Sequence, residues 1–279
     1  RDYYASRGLG DVYKRQMHTL FNVTNTLILI WFIPQIEKIV SWIIPQKAEK
    51  EVFRLKYIQG GPLSTAELSL DEAEQEIVHF SEICYNDFLY MRQAIVENSA
   101  DKFSELREKL IKYEAITDRI EYEIADYLNQ VAKGEISGSS AKRINGMYKI
   151  IGELESIGDS GDAVGRILAR RNEHGLSFDE EQLKRLGRMC DIVDDAFKAM
   201  TANLKVAYTS LKDITNAQDA EYNINECRNT LREEHIINIE ENPDYNYQVG
   251  VFYMDIVAEL EKIGDFIINI SEAKIAENG

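Results

Sequence analysis

Glu153-Leu154-Glu155-Ser156-Ile157-Gly158-Asp159 returns, with a single substitution, as Glu259-Leu260-Glu261-Lys262-Ile263-Gly264-Asp265. The offset, from Glu155 to Glu261, is 106 residues. That is too long for one solenoid repeat and close to the size of a small domain, so the chain contains two related halves. In each copy Glu and Asp stand at i and i+4, on one face of a helix. Two like charges repel there, and a mid-helix Gly costs about 1 kcal/mol relative to Ala. Keeping both features in both copies marks the face as a site or a close-packed seam. Acidic i,i+4 pairs are also common on solvated helices, and spacing alone does not separate these alternatives.

Composition points the same way. The 279 residues allow one or two domains, and 44% hydrophobic residues, 29% charged residues and four Pro favour long helices. No sustained alternation of apolar and polar residues argues for sheet. A net charge of −16 excludes the basic footprint that nucleic acid requires. Cys84, Cys190 and Cys227 are scattered and lack CxxC spacing, so neither a disulfide framework nor a thiolate metal site is expected, and a reducing, cytoplasmic setting fits. There is no phosphate loop and no paired nucleophile and base, and His79, His174 and His235 are isolated, so no enzyme is expected.

Residues 1–16 read as a non-native leader, because Asp11-Val12-Tyr13-Lys14-Arg15-Gln16 back-translates to a transposon end used as a sequencing adaptor. Residues 17–46 are expected to form a transmembrane or interfacial helix: Leu27 to Ile33 is unbroken apolar, and no formal charge occurs between Met17 and Glu37. Pro34 should kink or end it, with Gln35 to Ile44 running along the interface. Lys38, Lys47, Lys50, Arg54 and Lys56 then place the remainder of the chain in the cytoplasm. A linker, 47–64, leads to six helices over 65–279. The boundaries read as Ser64 or Ser69 to Glu97, Asp101 to Val131, Ala141 to Arg171, Ser177 to Leu211, a fifth ending near Glu240, and a sixth opened by Asn242-Pro243. Three antiparallel helices in 65–172 and three in 173–279 give an all-α pair of three-helix bundles.

A second correspondence joins the first. Glu114 and Asp118 stand 107 residues before Glu221 and Asn225. The first half thus offers Glu114, Asp118, Glu155 and Asp159, with Asp162 one turn on; the second offers Glu221, Asn225, Glu261 and Asp265, with Asn269 beyond. Converging carboxylates need a cation, and oxygen ligands suit Mg, Mn, Ca or iron. Pairing with Lys112, Arg119, Lys149, Arg166 or Lys262 is the rival explanation, and Gly158, Gly161, Gly165 and Gly264 would admit a neighbouring helix closely.

Glu261-Lys262-Ile263-Gly264-Asp265, extended through Ile268-Asn269-Ile270 to Glu272, resembles the E-R-I-G-D-H-x-x-N-I-x-E signature of the PhoU family of phosphate-uptake regulators. The resemblance implies paired three-helix bundles with E/D-x-x-x-D motifs that bind multinuclear metal (iron, Mg, Mn or Zn). Ala163 stands where the second half has Asn269, and Asn225 replaces the acid matched by Asp118. His18-Thr19-Leu20-Phe21-Asn22 before the apolar run resembles the last membrane helix of bacterial sodium/phosphate cotransporters, many of which carry a PhoU-like C-terminal domain. The function this implies is a cytoplasmic regulatory domain on an inner-membrane symporter. Its partner would be the transport core, with phosphate and sodium handled only there; self-association as a homodimer is compatible. The alternatives are a free-standing PhoU-like regulator and a metal-free helical adaptor.

Overall fold

A computed structural model describes residues 16–26, 55–63, 65–208, 210–243 and 245–276. Among these there is no strand. Residues 16–26 form a helical segment, α1, exposed along its length. Most of the expected membrane segment, 27–46, lies outside the described residues, as do residues 1–15. Among the described residues no helix is long and apolar enough to cross a membrane.

The unit Arg54–Gly279 is built from six further helices. They are α2 (Ala66–Val96), α3 (Ala100–Ala132), α4 (Gly138–Glu173), α5 (Glu180–Lys205), α6 (Thr215–Glu241) and α7 (Tyr247–Ala276). Helix α2 shows why they form. Leu70, Ala73, Ile77, Phe80, Cys84, Phe88, Met91 and Ile95 recur at three- and four-residue spacing and are all buried, so one stripe is removed from water.

Several boundaries differ from those expected from sequence, each for a local reason. Thr65, rather than Ser64 or Ser69, caps α2, and Ser137 starts α4 three residues earlier than expected by accepting from the Ser140 amide. Helix α5 opens on Asp179, not Ser177, because Asp179 and Gln182 satisfy each other's backbone amides in a capping box. The same helix stops at Lys205, well before Leu211. Asn242 closes α6 instead of opening the last helix. Pro243 restricts the residue before it to extended backbone, and α7 begins only where the Asn246 side chain accepts from the Gln248 amide at 3.0 Å.

Helices α2, α3 and α4 pack on one another, as do α5, α6 and α7, and the two sets meet mainly along α4 and α7 and secondarily along α2 and α5. The two heptapeptide helices are therefore the centre of the unit. Phe88 and Phe197 pack with ring centroids 5.1 Å apart and planes tilted by 34° between α2 and α5, beside a Tyr85 hydroxyl that donates to Asp194 at 2.7 Å. Lys274 on α7 donates to Glu74 on α2 at 2.9 Å, and the Asn269 amide on α7 donates to Glu153 on α4 at 3.2 Å. The short α4–α5 joint turns at Gly175, whose φ of 66° is left-handed and free of strain only for Gly. Ahead of α2, the Glu76 carboxylate accepts from the amides of Tyr57 at 2.6 Å and Ile58 at 3.3 Å, which ties the incoming chain to the bundle.

Candidate metal centre

The first heptapeptide lies on α4 where α3 comes closest. A Cβ added to Gly158 would stand 2.3 Å from Thr117 Oγ1 and 2.9 Å from Thr117 Cβ, so the two backbones approach at a distance only Gly permits. In the second bundle, Gly264 on α7 meets Ile224 on α6 less tightly, with a Cβ 2.7 Å from the terminal Ile224 Cδ1 and 3.5 Å from Ile224 Cβ. Both glycines are thus helix-packing residues, and each sets the register that brings the flanking acids across the seam.

In the first bundle that register gathers carboxylates. One oxygen each from Glu114 and Asp118 on α3 and Asp159 on α4 lie within 4.8 Å of one another. A hard cation holds oxygen ligands at about 2.0–2.6 Å, which puts opposite ligands about 4–5 Å apart, so three such atoms fit around one ion. Their surroundings show the cost of leaving them without one. Glu114 is raised above the usual carboxylate range by partial burial and then by the charges of Asp118, Asp162 and Asp159. Asp159 is raised by partial burial and then by Asp118, while Arg166 pulls both it and Glu114 down. Glu155, at the edge of the group, is pushed up to about 7 by partial burial and by Asp159, Glu121 and Asp118.

Asp162 does not join them. It is buried and held in ion pairs with Arg107, at 2.5 Å, and with Arg166. Of the other cations that could have neutralised the cluster, Arg119 pairs with Glu123 at 2.7 Å and Lys262 with Glu259 at 2.7 Å, each on its own helix.

The second bundle repeats the arrangement with different chemistry. The Asn225 amide donates to Glu221 at 2.5 Å on α6, and Glu261 on α7 accepts from Arg228 Nη1 at 2.8 Å. Partial burial raises both Glu261 and Asp265, while Arg228 pulls both down. Asn269 faces α4 through Glu153. The candidate acids of the two halves therefore sit on matching seams, but among the described residues only the first half brings three carboxylates mutually close.

Two functional-looking residues were not anticipated. Asp87 on α2 is almost fully buried, with Oδ2 against Gly161 of α4 and Oδ1 without a hydrogen-bond partner among the described residues. The signal was its register: Cys84, Asp87, Phe88 and Met91 all fall on the core stripe of α2. The other is Arg228, which reaches across the second seam from α6 to α7.

Residues 77–168 match the PhoU domain family model. That stretch runs from α2 through most of α4 and includes every first-half candidate. Over 123 residues the chain is 30% identical to the phosphate-specific transport system accessory protein PhoU homologs of two Streptococcus pneumoniae strains, covering 43% of this chain and 53% of each relative. The chain thus spans about half the length of the curated relatives it matches. Two solved structures share the fold. The phosphate transport system regulatory protein PhoU from Streptococcus pneumoniae superposes with a TM-score of 0.62 at 18% identity, covering 76% of this chain and 96% of that one. PhoU from Pseudomonas aeruginosa gives 0.58 at 19% identity, covering 76% and 97%. The all-helical unit is PhoU-like in fold, and in sequence over residues 77–168.

Proposed function

We propose that this chain is a PhoU-like regulator of phosphate transport whose first bundle carries a divalent-cation centre at Glu114, Asp118 and Asp159, with Glu155 beside it. The observation that carries the metal reading is the convergence of three carboxylate oxygens from two helices within 4.8 Å. Their segment lies inside the stretch matching the PhoU domain, which supports the regulatory reading. All the donors are hard oxygens, which suits Mg, Mn, Ca or iron. A bound ion would offset most of the cluster's negative charge and cross-link α3 to α4. Helix α4 in turn packs on α7, and the Glu153–Asn269 bond crosses that seam, so occupancy of the first bundle is felt by the second.

A thermal titration tests the metal centre. Adding Mn²⁺ at a hundredfold excess over Kd is expected to stabilise the protein by about 2.7 kcal/mol, and Asp118→Asn is expected to abolish the response. Without metal, Asp118→Asn should be the more stable protein by about 0.5 kcal/mol, because a like-charge i,i+4 repulsion is gone. A melting temperature unmoved by Mg²⁺, Mn²⁺, Ca²⁺ or Fe²⁺ ends the metal reading. Regulation is tested separately by phosphate uptake in cells with the chain deleted: uptake that still shuts down normally in plentiful phosphate ends that reading.

The free-standing regulator is supported by the PhoU-domain match over residues 77–168 and by the 30% identity to PhoU homologs. The apolar run Leu27–Ile33 favours a second reading, the tail of an inner-membrane sodium/phosphate cotransporter with its PhoU-like domain in the cytoplasm. Removing residues 17–56 discriminates the two. A soluble product that still restores regulation supports the first, whereas loss of regulation together with loss of membrane retention supports the second.

A further inference from the structure

The two halves can be aligned by contact as well as by sequence. Gly158 meets Thr117, and Gly264 meets Ile224. These pairs preserve the offsets of 106 residues between the heptapeptides and 107 between their partner helices. In that register Arg228 on α6 occupies the place of Glu121 on α3. The environments agree: Glu121 is a charged neighbour of Glu155, and Arg228 contacts Glu261, the residue equivalent to Glu155, at 2.8 Å. At that position the first bundle sets an acid beside its carboxylates and the second a cation; the cation near the first-bundle acids, Arg166, is paired with Asp162.

We infer that Arg228 is the permanent counter-ion of the second carboxylate face, so the chain takes divalent cations in its first bundle only. The acid that would complete the second set is the amide Asn225, which is already engaged with Glu221 at 2.5 Å. Arg228 Nε is buried and has no hydrogen-bond partner among the described residues, leaving a donor on the face it neutralises. A planar guanidinium also suits carboxylate pairing better than an ammonium would. The stoichiometry rests on the metal reading of the first bundle; the role of Arg228 does not.

The experiment is a set of Mn²⁺ thermal titrations on the full chain. In the unmodified protein the Mn²⁺-induced rise in Tm is expected to be about 5 °C at a hundredfold excess over Kd. Asp118→Asn with Asp159→Asn is expected to abolish it, while Glu261→Gln leaves it unchanged. A response that survives the first-bundle pair but disappears with Glu261→Gln overturns the inference. On the silenced background, Arg228→Glu with Asn225→Asp is expected to restore a Mn²⁺ response of similar size and one bound ion per chain by elemental analysis. Should that variant not fold, as judged by circular dichroism, Arg228→Met with Asn225→Asp serves in its place. A folded variant without a response also overturns the inference. If the unmodified protein binds no metal, the first-bundle reading fails by itself, and gain or no gain on the silenced background still decides the role of Arg228.

Discussion

Gly158→Ala is expected to destabilise the helical unit by about 2 kcal/mol, although Ala is the better helix former by about 1 kcal/mol. The sign is set by Thr117. It is fully buried, and its Cβ as well as its hydroxyl lies within 3 Å of the added methyl, so no rotation of the side chain relieves the clash. Helix α3 must move away from α4, and the carboxylates that straddle the seam separate with it. Gly187→Ala is the control: nothing lies within 4 Å of its Cβ on α5, and the same substitution there should stabilise by up to about 1 kcal/mol. Urea denaturation of both variants checks the pair. Equal, stabilising effects at the two positions would show that the α3–α4 seam is looser than described. The Gly158 variant should also bind Mn²⁺ more weakly, which separates a structural seam from an incidental one.

Asp87→Asn is expected to stabilise the protein at pH 7 and to lose most of that gain by pH 4. Burial, and then the charge of Asp162 on α4, pushes the Asp87 carboxyl well above its ordinary value of 3.8. Cys84, one turn away on α2, is raised in turn by burial and by Asp87. A raised acid binds its proton more tightly in the folded chain than in the unfolded one. Its contribution to stability is therefore complete at and below the unfolded value, and is lost as pH rises through the folded one. The amide carries no charge to bury, so it escapes that loss. Parallel urea melts at pH 7 and pH 4 measure the difference, and a gain of the same size at both values would refute the electrostatic origin.

The helical class, the six helices of the bundle unit and the facing of acids across the first seam were legible because each rests on periodicity or on internal repetition. A repeated heptapeptide exposes its own register, and Glu114 and Asp118 could be placed opposite Glu155 and Asp159 by counting. Helix ends were less legible. Asn242-Pro243 can close one helix as readily as open another, and the choice went to whichever amides Asn246 could satisfy. Site membership was least legible. Asp162 and Asp159 differ by less than one helical turn, yet one faces Arg107 and the other faces Asp118, a distinction made by rotation about the α4 axis and by a partner 55 residues away. Arg228 was hidden for the opposite reason: it breaks the repeat, and repetition was the guide.

The Arg228–Glu261 pair makes the two halves of a doubled architecture unequal in charge. Two seams that share one register carry different demands: the first gathers three carboxylates, and the second supplies a guanidinium from its own chain. A repeat whose copies keep the packing and change the charge lets one seam be altered electrostatically without redesigning the other.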